Sequence, residues 1–355
     1  LADASVTTAK LDDGSVTVPK IETSVTARFG LLRNLLLNPS GGAVYQRGVA
    51  VTADDVYFAD RWYALTELSN VTPSVLTDPE SGCPFGTRLT QSSATAQRFG
   101  FAQIIEGRNC KHLRNWSGVL GARVRASGSQ TIRYAILGWT GTEDAVTSDV
   151  VSNWSSASFT AGGFFNSTNL SVLAVGAQVV PANTWTSLPD IFASMGTSFN
   201  NIIVMVWTES AQAQNFTLDW DWVQFERGSV ITPPDWRGTA ELALCQRYCE
   251  SSYPIGVAFG SITNNDLGIQ FGTHSATGNG NGYSVRFSVA KRAAPTVTLY
   301  SPATGAAGFR RAINGGGTDV ASSAAGITIS GFSGATGTWN SAEIYAYHYV
   351  AISEL

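Results

Sequence analysis

The chain has 355 residues, with 22 Lys plus Arg against 26 Asp plus Glu and a net charge of -4, so it lacks the bulk basic footprint that tracks nucleic-acid phosphates. Only 14% of residues are charged while 44% are hydrophobic. Soluble domains carry about 25% charge, so Ser, Thr, Asn and Gly must cover this surface, or an oligomer must hide part of it.

The first element is a decad repeat. Leu1 to Lys10 is echoed by Leu11 to Lys20, then by Ile21 with Ser24-Val25-Thr26. Such a unit cannot bury its few aliphatic side chains alone and needs stacked neighbours or sister chains, which predicts a slender shaft over 1–33. A chain that opens on Leu1 without a signal-peptide layout is read as a fragment or as having lost upstream residues.

From 34 to 237 the text is all-β, with short alternating or apolar runs punctuated by Gly, Asn, Ser and Pro. Ala122, Val124 and Ala126 alternate inward against Arg123 and Arg125. Further strands are expected over 131–139, 202–207 and 216–225, where the second is a continuous buried run. About eight to ten strands without helical periodicity indicate a jelly-roll β-sandwich. The longest uncharged stretch, 150–189, is interrupted by Ser, Asn and Gly and lacks the ~20 apolar residues of a membrane span.

Pro233-Pro234 ends the sandwich, and a connecting helix is expected within 238–250, over 240–249, with Thr239 as N-cap and Glu241 in its first turn. Leu244, Cys245 and Tyr248 share one face, which predicts a contact between copies at a trimer axis. A smaller β domain follows over 251–355, with strands at 283–289, 296–300, 326–329 and 343–352. Cys83, Cys110, Cys245 and Cys249 lack the spacing of a zinc site; they read as buried or half-buried thiols, with a Cys83 to Cys110 bridge left open.

Three groups of residues carry a resemblance. The decads Leu1 to Lys10 and Leu11 to Lys20 are similar to linker repeats of bacteriophage tail fibres. Asn34-Leu35-Leu36-Leu37-Asn38-Pro39 with Gln46-Arg47-Gly48 and Ala59-Asp60-Arg61-Trp62 resembles the opening of carbohydrate-binding-like modules in phage fibre proteins, and the run from Val223 to Ser229 with Leu242 to Tyr248 resembles the module's end. Pro295 to Ser301 and the closing Ala351-Ile352-Ser353-Glu354-Leu355 resemble the distal domain of the same proteins. The resemblance implies a homotrimeric virion fibre subunit, joined to other virion proteins through its N-terminus, that meets a host surface polysaccharide or other receptor outside the cell. Related modules pair an acidic residue after the Asn-Pro opening with a late Asp around calcium. Here Ser40-Gly41-Gly42 stands in its place, so no cofactor is assigned and a calcium at Asp219 and Asp221 stays open.

An enzyme is not expected. His112, His274 and His348 form no ligand pattern, and no nucleophile elbow or P-loop occurs. Two carboxylates suffice for a glycosidase, but Asp54-Asp55 and Glu143-Asp144 read as solvated loop pairs, and Asp219 with Asp221 reads as a structural or metal-binding pair. A depolymerase is the enzymatic alternative and a spacer that binds nothing is the structural one. Aromatic platforms are the better lead, because sugar C–H faces stack on flat rings while the hydroxyls need polar neighbours. Trp116, Trp139, Trp154 and Trp339 lie beside Asn, Ser, Thr or Gly and are the candidates; Trp62, Trp207, Trp220 and Trp222 are assigned to core or interface. In the distal loops, 273–283 and 309–318, His274, Asn279, Asn281, Tyr283, Arg310, Arg311 and Asn314 offer glycan contacts.

Overall fold

The computed structural model describes residues 33–48, 52–77, 79, 83–264, 268–274, 277–281, 283–314, 317–340 and 342–355, with backbone alone at 279–281. The expected shaft repeat lies outside these residues, apart from Arg33.

The protein is an all-β sandwich of two antiparallel sheets followed by a smaller antiparallel assembly. The first sheet runs β1 (Tyr57–Ala59), β2 (Trp62–Thr66), β5 (Phe99–Ile105), β10 (Asn201–Thr208), β7 (Gln130–Trp139) and β8 (Leu170–Val180). The second runs β3 (Val71–Thr77), β4 (Phe85–Gln91), β11 (Thr217–Arg227), β6 (Ser117–Ala126) and β9 (Thr186–Ser194). The chain repeatedly crosses from one sheet to the other, as in a jelly roll.

Alternation explains β6: Ala122, Val124 and Ala126 are fully buried between the sheets, while Arg123 and Arg125 face outward. Strand β10 is buried along its whole length for a different reason. Ile202, Val204 and Val206 enter the core between the sheets, while Ile203, Met205 and Trp207 enter a second core on the other face of the same sheet. The 140–169 connection covers that second face with Val146, Val150, Phe164 and Phe165. Each fully buried aromatic or large aliphatic side chain contributes about 1.5–3 kcal/mol.

Trp62, Trp207 and Trp220 are fully buried and Trp222 nearly so, as their apolar context predicted. Trp220 stacks on Phe101 with ring centroids 3.8 Å apart. A register shift between Trp220 and Trp222 inserts Asp221 into β11, and the alternation changes phase there. Val223 and Phe225 thereby join Trp220 in the inter-sheet core.

Helix α1 (Gly107–Cys110) lies between β5 and β6, and α2 (Ala240–Gln246) follows the sandwich. α2 is shorter than expected, because Cys249 already opens strand β12 (Cys249–Ser251). Thr239 is itself helical and makes no side-chain cap. Glu241 is buried, accepting a hydrogen bond from the Asn38 amide at 2.5 Å and one from Arg237 at 2.8 Å. The expected trimer-axis face also turns inward. Cys245 is fully buried and Tyr248 almost so, and Tyr248 donates to Glu106 at 2.7 Å beneath the Arg61 guanidinium, 3.8 Å from its ring centroid. Leu244 is half-buried against the same molecule's pocket wall. All four cysteines are buried free thiols, so Cys83 and Cys110 form no bridge.

In the C-terminal assembly the long strand β21 (Glu343–Ile352) is central. It pairs with β12 and β13 (Gln270–His274) along one edge, and with β16 (Thr296–Tyr300) and β17 (Phe309–Ala312) along the other. β18 (Thr318–Ala321) extends the second edge. Tyr345, Tyr347 and Tyr349 point into a third core. The strand expected over 283–289 is reduced to β15 (Val285–Arg286), and 326–329 is irregular. β15 pairs with β19 (Gly331–Phe332), and β14 (Gly278–Asn281) with β20 (Thr336–Trp339).

This assembly closes back on the sandwich. Glu354 pairs with both Arg47, at 2.9 Å, and the fully buried Arg61, while Leu355 packs against the second core. Replacing Glu354 by Gln leaves two desolvated guanidiniums without their carboxylate. A loss of about 3 kcal/mol in unfolding free energy is expected, measured by urea denaturation with Glu354→Asp as the charge-retaining control.

Candidate functional site

Trp139 ends β7, and the chain then leaves the sheet for the polar 140–169 connection. The indole is fixed at its edge by an Nε1–H bond to the Thr142 carbonyl, 2.9 Å. Gly141 packs directly on it, since a Cβ there would lie 2.7 Å from the six-membered ring. The ring is half-buried. It forms one wall of a pocket of about 290 Å³ whose other walls are Thr147, Asp149, Val150, Asn166, Thr168 and Leu170. Asn166 holds the opposite rim in place, donating from its side chain to the Asp149 carbonyl at 2.8 Å and from its backbone to Val150 at 3.0 Å. A half-exposed indole facing a carboxylate, an amide and two hydroxyls is the combination that suits a sugar ring.

Of the Asp54-Asp55 pair read as solvated, Asp54 is exposed and Asp55 is half-buried. Asp54 accepts the Thr66 amide at 2.6 Å. One carboxylate oxygen of Asp55 is buried without a hydrogen bond. Burial pushes the Asp55 carboxyl up to about 6, and the charges of Asp54 and Asp149 add to that effect.

The other expected platforms are placed differently. Trp116 is 54% exposed, but the Arg227 guanidinium occupies one face, 3.3 Å from the ring centroid. Trp154 is half-buried with its ring edge-on to Phe164, helping to hold the connection on the second core. Trp139 and Trp154 thus serve one segment, and Trp116 lies apart from them.

Trp339 is a correction: it is fully buried, as is Arg310. Arg310 alternates inward with Ala312 on β17 and meets Glu343 at 3.0 Å, Ser322 at 2.6 Å and the Thr338 carbonyl at 2.7 Å. Its guanidinium lies 3.7 Å from the Trp339 ring centroid, and His274 stacks on Trp339 at 4.6 Å. Gly337, at φ +141°, leaves room for Arg310 Nη1, which a Cβ would approach to 2.8 Å. Arg310 and Trp339 form a buried structural cluster, with His274 half-buried at its edge. Arg311 keeps a half-exposed ion pair with Asp319, 3.2 Å. Asn314 ties its hairpin to β21, donating to Ala342 at 2.6 Å and accepting from Ile344 at 2.7 Å. Tyr283 is 63% exposed and stays available. Asn279 and Asn281 pair through their backbones with Thr338 and Thr336; their side chains lie outside the described atoms.

Asp219 and Asp221 are both nearly fully buried and engaged by arginines. Arg88 grips Asp219 through two bonds, at 2.7 and 2.9 Å, Arg125 adds a third, and Arg123 holds Asp221 at 2.9 and 3.1 Å. Near the Asn-Pro opening, the Gly41, Val44 and Asp60 carbonyls converge on the Asn38 side-chain amide at 2.8, 2.8 and 3.1 Å. The two N–H groups of that amide are shared among the three carbonyl oxygens. Among the described residues no group of three or more His, Cys, Asp or Glu is placed to hold a metal ion. His348 is buried between Ser252 and Thr263, and burial lowers it to about 4.

The sequence reading missed Thr147, Asp149, Asn166 and Thr168. Their signal was the polar segment that follows Trp139 and runs to Leu170, too long for an ordinary hairpin turn.

No protein-family model and no curated protein matches the chain. Solved structures similar to it include TmCBM61 in complex with β-1,4-galactotriose, 12% identical over 55% of this chain and 99% of that one, with a TM-score of 0.32. The C-terminal family 22 carbohydrate-binding module of Clostridium thermocellum Xyn10B is 11% identical over 55% and 99%, with a TM-score of 0.31. The enzymatically active domain of bacteriophage CBA120 tailspike protein 4 is 10% identical over 55% of this chain but only 22% of that one, with a TM-score of 0.34. At these values none bears on what this chain binds.

The raised Asp55 carboxyl has a stability consequence with a definite sign. Its folded value of about 6 lies above the unfolded value of about 3.9, so ionised Asp55 opposes folding at neutral pH, and that opposition fades as pH falls through 6 toward 4. Asp55→Asn is expected to be more stable than the parent near pH 7 and indistinguishable from it near pH 4, measured by urea denaturation across that range.

Proposed function

We propose that this protein is a non-enzymatic virion fibre subunit that binds a host cell-surface glycan, with the Trp139 pocket as the sugar contact. The pocket carries the reading: a fixed, half-exposed indole beside Asp149, Asn166, Thr147 and Thr168, in a space of about 290 Å³. The decad repeats and the ordered resemblances along the chain support the fibre context, and the charge-poor composition supports assembly with sister chains. One stacked ring adds on the order of 1 kcal/mol beyond area burial, so a single site is weak and three copies on one fibre give useful adhesion.

Trp139→Ala is expected to lower affinity for host surface polysaccharide at least tenfold, measured on glycan-coated sensors, with light scattering reporting whether the assembly is a trimer. Unchanged binding by Trp139→Ala removes the pocket from the reading.

A second reading, polysaccharide cleavage, draws on Asp149 at the pocket and the raised carboxyl of Asp55 beside it, since glycoside hydrolysis uses two carboxyl groups. Release of oligosaccharides from host polysaccharide, abolished by Asp55→Asn, would favour cleavage over binding.

A further inference from the structure

We propose that a second pocket, between the first residues of the sandwich, α1 and α2, binds an oxyanion carried on a sugar ring. The pocket measures about 450 Å³ and includes Leu35, Leu37, Arg108, Asn109, His112, Leu244 and Arg247 in its wall. Its lining holds three arginines and a histidine, counting Arg237, and no carboxylate, in a chain whose net charge is -4.

The carboxylates that balance this wall lie behind it. Glu106 and Glu241 have side chains only 4% exposed. Glu106 takes Nε and Nη2 of Arg247 at 3.1 and 2.7 Å, which fixes the guanidinium through one edge and turns Nη1 away from that carboxylate. Arg237 is consumed by Glu241 and the Asn34 and Leu36 carbonyls, so it shapes the wall and does not contact the ligand. Arg108 is exposed and makes no ion pair among the described residues. Asn109 is its exposed neighbour, a source of both donor and acceptor.

Arg108 and Arg247 Nη1 therefore supply charge-assisted donors for a carboxylate or phosphate oxygen, while Leu35, Leu37 and Leu244 offer an apolar floor for a C–H face. His112 is lowered by burial and by the nearby Arg227 charge, in keeping with a positive surround. The ligand class is an acidic sugar, a uronate or a sugar phosphate. The site is separate from the Trp139 pocket and does not rest on it.

The test uses the full chain and ligand-observed NMR with glucuronate, inorganic phosphate and glucose as probes. Glucuronate is expected to bind saturably with a dissociation constant of about 1 mM or below, weakening with added salt, whereas glucose gives no saturable signal with Trp139→Ala, where the other proposed sugar contact is removed. Arg108→Glu is expected to weaken glucuronate binding at least tenfold and Trp139→Ala to leave it unchanged. Displacement by inorganic phosphate assigns the site to oxyanions in general; failure of displacement assigns it to carboxylates. The proposal is overturned if neither anion binds saturably, if glucose binds Trp139→Ala as well as glucuronate does, if Arg108→Glu has no effect, or if Trp139→Ala abolishes glucuronate binding. Arg108 is exposed, so its variants test the site without disturbing the core; Arg108→Ala should give a smaller loss in the same direction.

Discussion

The buried guanidinium of Arg61 is the constraint on which the arrangement of the whole chain depends. It sits at φ +71° in a turn between β1 and β2, fully desolvated, bonded to Glu354 and to the Ile104 carbonyl, and stacked over Tyr248. A buried cation needs an opposite charge and hydrogen-bond partners; Arg61 has them at Nη1 and Nη2 but not at Nε, and removing one partner typically costs about 3–5 kcal/mol. Those partners come from the sandwich, from the end of α2 and from the last residues of the chain. Gln46 adds a tie from the same turn region, bridging Asp60 to the Cys249 carbonyl. The smaller β assembly is consequently fastened to the sandwich at both its beginning and its end, and the α2 face that would have met sister helices is filled by its own chain.

A second constraint follows from the first sheet having a core on each face. Its strands must be apolar on both sides, which is why β10 reads as an unbroken hydrophobic run and not as an alternating one. A sheet with two apolar faces needs two covers. The second sheet supplies one, and the connection from Trp139 to Leu170 supplies the other. That cover is short of charge and rich in Ser, Thr, Asn and Gly, so its rim presents hydroxyls and amides beside the aromatic residues that hold it down. The glycan pocket proposed at Trp139 is thus a by-product of covering a sheet: anchoring indole and solvating rim meet at its edge.

Local pattern made much of this legible. Alternation located β6, β7, β16 and β21, and apolar context assigned Trp62, Trp207, Trp220 and Trp222 to the interior. It failed where a neighbour distant in sequence decides the environment. Trp339 follows Gly337 and precedes Asn340, which reads as an exposed loop; the residues that bury it, Arg310 and His274, arrive from strands tens of positions away. Arg310 itself looked like a loop cation because nothing local shows that Glu343 will be opposite it. The α2 stripe was correctly read as apolar, but an amphipathic face does not say whether its partner is the same chain or another.

The same bookkeeping of charge separates informative arginines from structural ones. With so few charged residues, many guanidiniums here hold a nearly buried carboxylate, among them Arg88 and Arg125 on Asp219, Arg123 on Asp221 and Arg310 on Glu343. Such arginines orient strands and offer little to a ligand, because their best donors are already used and their charge is locally cancelled. An exposed arginine outside these pairs stands out against that background. Arg108 has this character, and it lines the same pocket as a guanidinium whose buried carboxylate fixes it from behind through Nε and Nη2. Orientation by a hidden acid makes a rigid anion contact with little side-chain entropy left to lose. For the fibre proposed above, adhering through several weak contacts, a second contact of different chemistry raises selectivity more than a duplicate of the first, because a surface must then offer both a ring face and a charge to be held.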